Sequence, residues 1–307
     1  MKKILITPRS YGKTDMSVLE KLKTAGYEPV MNPYGQILTK EQIIREIADC
    51  EGVIIGIDPM DRDVIDAAPK LRAISKYGIG IDNIDTGYAE EKGIRISVAK
   101  GANANAVADM AFSLMCACAR KIVTIHNRCR QKDWTKIPGL DICGKTLGIL
   151  GLGAVGKGVA KRASGFDMKI LAYDTFWDPS YAEAHGILYA EPDEIFRSCD
   201  FISLHLPLTG ETECIINAKS LAKMKPNAIL VNTARGGLID ENALIEALEK
   251  KTIAAAGLDV FNEEPPADER WYQLDNVILG SHAAASTDGA IENMTQMATE
   301  NILRDLR

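Results

Sequence analysis

The sequence predicts an α/β protein of two doubly wound parallel-sheet domains. Three observations carry that prediction. Short apolar runs alternate with segments of helical spacing from Lys3 to Val98, and again from Leu147 to Gly280. This is the pattern of parallel strands joined by helical crossovers and covered on both faces. The chain has 307 residues, enough for about two domains of ~150 residues. A glycine fingerprint, Gly151-Leu152-Gly153-Ala154-Val155-Gly156, stands only in the second half.

In the first half, Lys3 to Thr7 reads as a buried-type strand, and Lys13 to Ala25 has helical spacing ending at Gly26. Tyr27 to Met31 reads as a strand, Lys40 to Ala48 as a helix and Gly52 to Gly56 as a strand. Arg62 to Ala68 (helix), Leu71 to Ser75 (strand), Tyr88 to Lys92 (helix) and Ile94 to Val98 (strand) complete the unit. From Asn103 to Arg130 the spacing predicts one long helix, apolar nearly all round and therefore buried on several sides. Such a helix suits a connector or a subunit interface, and Trp134 just beyond it could anchor a homodimer.

The second half opens with a strand from Leu147 to Leu150, the glycine fingerprint, a helical segment and a strand from Ile170 to Tyr173 ending on Asp174. That order is what holding a dinucleotide requires. Gly151 permits the tight turn, Gly153 lets backbone amides approach the pyrophosphate, and Gly156 lets helix and sheet pack closely. The helix N-terminus turns its unpaired N–H groups and partial positive charge to the phosphates. Asp174, 23 residues beyond Gly151, can accept hydrogen bonds from both ribose hydroxyls and would repel a 2′-phosphate. The segment after it, Thr175 to Tyr181, holds no Arg or Lys. NAD is expected, not NADP.

Alternation then resumes with a helix from Asp193 to Ser198, a strand from Phe201 to Leu206 and a helix from Lys219 to Met224. A strand from Ile229 to Asn232, a helix from Glu241 to Lys250, and strands from Ala254 to Val260 and Val277 to Gly280 follow. Six strands from Leu147 onward make a full Rossmann unit. The last helix, Thr287 to Leu306, is expected to cross back onto the first unit. The domains are therefore placed at 1–99 plus 284–307, for substrate, and at 100–283, for NAD.

Composition is that of an ordinary globular chain, 46% hydrophobic and 25% charged. The net charge of −6 and the lack of a basic stripe argue against a nucleic-acid partner. Seven scattered cysteines without a CxxC pair support neither a metal site nor a dithiol motif. Cys116 and Cys118 read as small core residues. The N-terminus has too few apolar residues for a signal peptide. The longest near-apolar stretch, Met110 to Ala119, is too short to span a bilayer. A cytoplasmic protein without a membrane partner is expected.

Ligands of open α/β sheets bind beyond the carboxyl ends of strands. Arg235 follows the strand ending at Asn232, Glu264 follows the strand ending at Val260, and His282 follows the strand ending at Gly280. Singly, each has an ordinary reading as a surface charge, loop polarity or a structural histidine. Together they suit hydride transfer between a 2-hydroxy and a 2-keto acid. Arg235 can hold a carboxylate through paired hydrogen bonds. His282 is a natural acid/base near neutral pH, and Glu264 would favour its imidazolium and fix the ring.

These segments resemble the D-isomer-specific 2-hydroxyacid dehydrogenases, a family that includes phosphoglycerate dehydrogenases. The likeness covers nearly the whole chain. It rests on Lys76 to Asp85 as a substrate loop, Asn103 to Asp109, the fingerprint Gly151 to Gly156, His205 to Pro207, Asn232 to Gly236, Asp259 to Pro265 and His282. The resemblance implies a flavodoxin-like substrate domain made of both termini, a cleft that closes on the ligand, and dimerisation through the nucleotide domain. It makes Arg235 the carboxylate ligand, His282 the acid/base and Glu264 its partner. It sets Lys76, Asn103 and backbone near Gly78 against substrate, Asp259 against the nicotinamide amide and Thr212 toward the adenosine. Further cofactor contacts fall on Gly151, Gly153, Ala154, Val155, Gly156, Asp174, His205, Pro207, Thr233, Ala234 and Ala284. Three positions depart from the family pattern. Ala154 stands where Arg is frequent, Ala284-Ala285 where a glycine pair is frequent, and Asp109 where Glu is common.

Phosphoglycerate is the first expected substrate, because Lys76 beside the substrate loop could meet a phosphate. Glyoxylate, hydroxypyruvate or a D-lactate-like acid is the alternative, since the loop from Ile57 to Arg62 has acids and a single Arg. The chain ends at Arg307, so no regulatory domain and no serine feedback are expected. A NAD-sensing regulatory protein on the same scaffold is the alternative of a different class.

Overall fold

The computed structural model describes residues 2–307. The chain divides into two compact units, everything up to Asn103 together with Ser286–Arg307, and Ala104–Ala285.

The first unit runs β1 (Lys2–Ile6), α1 (Ser17–Thr24), β2 (Tyr27–Met31), α2 (Lys40–Ile47) and β3 (Cys50–Ile55), then α3 (Arg62–Asp66), β4 (Ala73–Lys76), α4 (Thr86–Glu91) and β5 (Arg95–Val98). Its five strands are all parallel, in the order β2-β1-β3-β4-β5, the flavodoxin-like order. Helix starts are set by side chains that take otherwise unpaired N–H groups. Thr39 and Gln42 form a capping box at α2, and Asp61 and Asp85 cap α3 and α4. Helix α1 begins later than its spacing predicts. Asp15 takes both the N–H and the hydroxyl of Ser17, fixing a turn just before the helix.

The second unit opens with α5 (Ala104–Ala119) and α6 (Ile122–Arg130). The single long helix expected here is two. Lys121 takes left-handed backbone at φ 52°, and the Leu140 N–H caps the carbonyl of Ala119 at 2.8 Å. The two pieces differ in burial. Along α5, Ala108, Ala111, Leu114, Met115, Cys118 and Ala119 are buried, whereas α6 buries no residue.

There follow β6 (Thr146–Leu150), α7 (Ala154–Ser164), β7 (Lys169–Tyr173), α8 (Pro179–Ala184), β8 (Ile187–Tyr189), α9 (Pro192–Ser198) and β9 (Phe201–Leu204). The unit ends with α10 (Ala218–Leu221), β10 (Ile229–Asn232), α11 (Glu241–Glu249), β11 (Ala255–Leu258) and β12 (Val277–Leu279). The parallel order β12-β11-β10-β9-β6-β7-β8 is the Rossmann order with one strand added beyond the sixth. The strand that sequence reading missed is β8, three residues at the sheet edge with Leu188 and Tyr189 exposed. It is too short to show a period. Side chains alternate between two cores, as the pleat requires. Leu147 and Ile149 pack toward α5 and α7, while Leu150 packs with Ile195 and Phe196 of α9.

Helix α12 (Asp288–Asp305) returns to the first unit. Its Ala298 and Ile302, with Leu306, cluster with Ile4, Ile6, Ile54 and Ala73. A Cβ on Gly52 would lie 3.0 Å from side-chain carbons of both Ile302 and Leu306, so the helix sits hard against the sheet. Among the described residues, no helix is long and apolar enough to cross a membrane.

Candidate active site

Strand register sets the site of the second unit. Leu150 pairs with Leu204, Leu204 with Asn232, Asn232 with Leu258, and Leu258 with Leu279. The next residue on each strand therefore stands at one level: Gly151, His205, Thr233, Asp259 and Gly280. In the sheet order, β6 and β9 flank the point where the winding reverses, the place where open α/β sheets take ligands.

At that point Gly151 has φ +100°, and a Cβ there would lie 2.6 Å from the carbonyl of His205. No other residue type fits so close to the neighbouring strand. A Cβ on Gly156 would fall 2.1 Å from the Gly151 carbonyl oxygen, whereas one on Gly153 would meet nothing within 4 Å. Gly153 is also the N-cap of α7 and gives no side-chain cap. Ala154 and Val155 open the helix, and the dipole leaves partial positive charge there. Asp174 is half-buried. One oxygen accepts the Leu152 N–H at 2.7 Å and the other the Phe176 N–H at 2.8 Å, which ties the acid to the glycine turn.

His205 lies 2.8 Å, through Nε2, from the Ser203 hydroxyl. Burial pushes its pKa down to about 3, so the ring is neutral at physiological pH. Beyond it, Thr212 braces the loop that starts at Pro207. Its hydroxyl donates to the Pro207 carbonyl at 2.6 Å and accepts the Thr209 N–H at 2.8 Å.

Arg235 leaves β10 on a turn held by a fully buried side chain. Asn232 donates to the Arg235 carbonyl at 2.7 Å and accepts the Ala234 N–H at 3.0 Å. The half-buried guanidinium donates through Nη1 to the Ala234 carbonyl at 2.6 Å. A Cβ on Gly236 would come 2.1 Å from the Phe261 backbone, so the Arg235 and Glu264 loops touch. Glu264 uses both oxygens: Oε1 accepts the Phe261 N–H at 3.1 Å, and Oε2 lies 2.9 Å from His282 Nδ1. His282 stands in left-handed backbone at φ 56°, which costs a residue with a Cβ roughly 1–2 kcal/mol.

Asp259 is what holds His282 there. It is fully buried. Its carbonyl accepts the His282 N–H at 2.8 Å, and its carboxylate accepts the N–H groups of Ala283 and Ala284 at 3.0 and 2.8 Å. These charge-assisted bonds offset the backbone cost. The carboxylate of Asp259, which the resemblance sets toward the nicotinamide amide, anchors the loop that carries His282. Asn232 and Asp259 are positioning residues. Sequence reading gave neither of them this bracing part, although a polar residue closing an apolar run was a signal for both.

In the first unit, Lys76 is the last residue of β4. It is buried, and its ammonium donates to the Gly56 carbonyl at 2.5 Å and to Asn83 Oδ1 at 2.7 Å. Gly78 has φ +131°; its N–H donates to the Lys76 carbonyl and its carbonyl accepts the Ala99 N–H. Asn103 is half-buried and closes the first stretch of the unit, next to α5.

The residues present fit a dinucleotide. Thr233 Oγ1 is buried without a hydrogen-bond partner at the end of β10, a cost of about 1–3 kcal/mol unless a ligand meets it. With the uncapped start of α7, open space at Gly153 and the tethered Asp174, it forms a donor and acceptor set of the required kind.

The sequence profile of the D-isomer specific 2-hydroxyacid dehydrogenase NAD binding domain matches residues 112–284. The chain belongs to the D-isomer-specific 2-hydroxyacid dehydrogenases. It is 40% identical to the glyoxylate reductase of Korarchaeum cryptofilum over 86% of this chain and 82% of that one. It is 43% identical to the D-3-phosphoglycerate dehydrogenase of Methanocaldococcus jannaschii, over 88% of this chain but 52% of that one. A glyoxylate reductase structure from Paecilomyes thermophila superposes with a TM-score of 0.87 at 31% identity, over all of this chain and 95% of that one. The dehydrogenase uses NAD. When bound, NADH or NAD+ gives or takes the hydride; the chain's own work is to bind the acid and move a proton.

Proposed function

We propose that this dehydrogenase reduces short, unphosphorylated 2-keto acids of the glyoxylate and hydroxypyruvate kind. Arg235 binds the substrate carboxylate, His282 donates a proton to the carbonyl oxygen as reduction proceeds and takes it back in oxidation. Glu264 fixes the ring, while Asn232 and Asp259 hold the loops. Gly151 to Gly156, Asp174, His205, Pro207, Thr212, Thr233, Ala234, Asp259 and Ala284 are assigned to the cofactor, and Asn103 and the Gly78 loop to the substrate.

The observation that carries the substrate choice is the buried Lys76. A phosphate would have to draw its ammonium away from Gly56 and Asn83, giving up two hydrogen bonds from a charged group. Arg62, the one Arg of the preceding loop, is engaged with Asp85 and lies over the Tyr88 ring. The loops after β3 and β4 instead expose Ile57, Ile79 and Ile81, surfaces suited to a small neutral substituent. On that ground we prefer the unphosphorylated alternative to phosphoglycerate. The test is a panel of 2-keto acids with purified protein and NADH. Glyoxylate or hydroxypyruvate is expected to exceed 3-phosphohydroxypyruvate in kcat/KM at least about tenfold, the size of a 1.4 kcal/mol difference. The reverse order would return the phosphorylated substrate, and no turnover at all would favour a NAD-sensing protein.

We also infer that α6 and the segment after it pair with a second copy. Ile122, Val123 and Ile125 are exposed on a helix that buries nothing, and Trp134 is 81% exposed. Light scattering at micromolar concentration should give the mass of two chains. Trp134→Ala should raise the dimer dissociation constant about 30-fold, as loss of ~2 kcal/mol at an aromatic anchor would. A monomeric wild type overturns the pairing.

A further inference from the structure

We propose that Asp178, by pairing with Lys157, is a second determinant of the preference for NAD over NADP. It neutralises a cation that would otherwise meet a 2′-phosphate. The proposal rests on the NAD reading of the glycine turn and Asp174 and adds a residue to it.

A 2′-phosphate needs local positive charge at the carboxyl end of β7. The stretch from Asp174 to Tyr181 supplies none from its own sequence, yet a lysine comes to it from elsewhere. Lys157 is the fourth residue of α7, and its N–H donates to the Gly153 carbonyl at 2.9 Å. It therefore stands about one turn, ~4.5 Å, along the helix from its start. Asp174 is bonded to that same turn through Leu152. Cation and ribose-binding acid share one rim.

Lys157 is held in a particular state. Its Nζ lies 2.9 Å from Asp178 Oδ2 and 4.1 Å from the centre of the Tyr181 ring. The Tyr181 hydroxyl donates back to the Lys157 carbonyl at 3.4 Å, and the ring stacks on His185 at 4.0 Å. The hydrogen bond from Lys157 holds Asp178 below the usual carboxylate range, so the acid carries its negative charge at neutral pH. Both side chains are also partly exposed, at 32% and 47%. An ion pair that wet is weak and reversible. What restrains Lys157 is the neighbouring negative charge, not burial.

The charges of the rim then add simply. Asp174, Asp178 and Lys157 sum to −1, which repels a phosphate. Removing Asp174 alone leaves zero, because Asp178 still neutralises Lys157. Removing both acids leaves +1. Discrimination is thus expected to fall in two steps, and the second step runs through Lys157.

Asp178→Asn isolates the charge. Asp178 also caps α8 by accepting the Tyr181 N–H through Oδ1 at 3.1 Å, and asparagine caps equally well. Dissociation constants for NADH and NADPH would be read from nucleotide fluorescence in wild type, Asp174→Ala, Asp174→Ala/Asp178→Asn, and the last with Lys157→Ala added. Adding Asp178→Asn to Asp174→Ala should tighten NADPH at least about tenfold while NADH moves less than threefold. The gain should shrink as salt is raised, since it is electrostatic and exposed. Adding Lys157→Ala should abolish it. Parallel shifts for both nucleotides, or a gain that survives Lys157→Ala, overturns the proposal while leaving the NAD reading intact. Failure of the wild type to bind NADH would overturn both.

Discussion

Arg235→Ala is expected to lower kcat/KM for glyoxylate or hydroxypyruvate by about 10²- to 10³-fold, with the NADH dissociation constant changed less than twofold. The size follows from truncating one partner of a hydrogen-bonded charge pair, roughly 2–5 kcal/mol. The expected separation from cofactor binding follows from where the pyrophosphate is held. Arg235 is carried on the turn that Asn232 brackets, whereas the glycine turn is built on β6 and α7. Arg235→Lys keeps the charge but loses the planar fork that pairs with a carboxylate, so it should recover only a small part of the loss. Steady-state kinetics with NADH fluorescence titration decides the matter. An equal loss of NADH affinity would place Arg235 at the cofactor.

His282→Asn should cost about 10²- to 10⁴-fold in kcat, the range for losing a positioned acid/base. NADH binding should be unchanged. Glu264→Gln is the sharper variant. Glu264 accepts from Phe261 with one oxygen and meets His282 Nδ1 with the other, and an amide has only one accepting end. If its oxygen keeps Phe261, its amide faces the imidazole as a donor, and the ring loses the acceptor that steadies a protonated form. A loss of about ten- to a hundredfold in kcat is expected. Single-turnover hydride transfer measures it apart from product release. Activity near the wild-type value would assign Glu264 to the loop fold alone.

How much of this was legible in the sequence depended on the range of the cause. Apolar runs ended within a residue or two of the observed strands, so Arg235, Glu264 and His282 could be read as strand-end groups before any register was known. The fingerprint was equally local, since Gly151 and Gly156 meet each other across five residues. What stayed hidden was set by partners remote in sequence. The break at Lys121 depends on Leu140 capping Ala119, and the fate of Lys76 depends on Gly56 and Asn83. The bracing part of Asp259 was hidden because nothing in its own stretch says that Ala283 and Ala284 donate to its oxygens. Lys157 was passed over for the same reason: Asp178 lies 21 residues away along the chain.

The return of α12 to the first sheet has a consequence for how the chain is made. Ile302 and Leu306, which lie against Gly52, follow the whole of Ala104–Ala285 in sequence. On a ribosome the second unit is therefore complete before the first has its final helix. Until then, the apolar face of Ile4, Ile6, Ile54 and Ala73 lacks its natural cover. An uncovered apolar surface of this kind is what chaperones bind and what drives aggregation. The half of the protein translated first is the half that must wait.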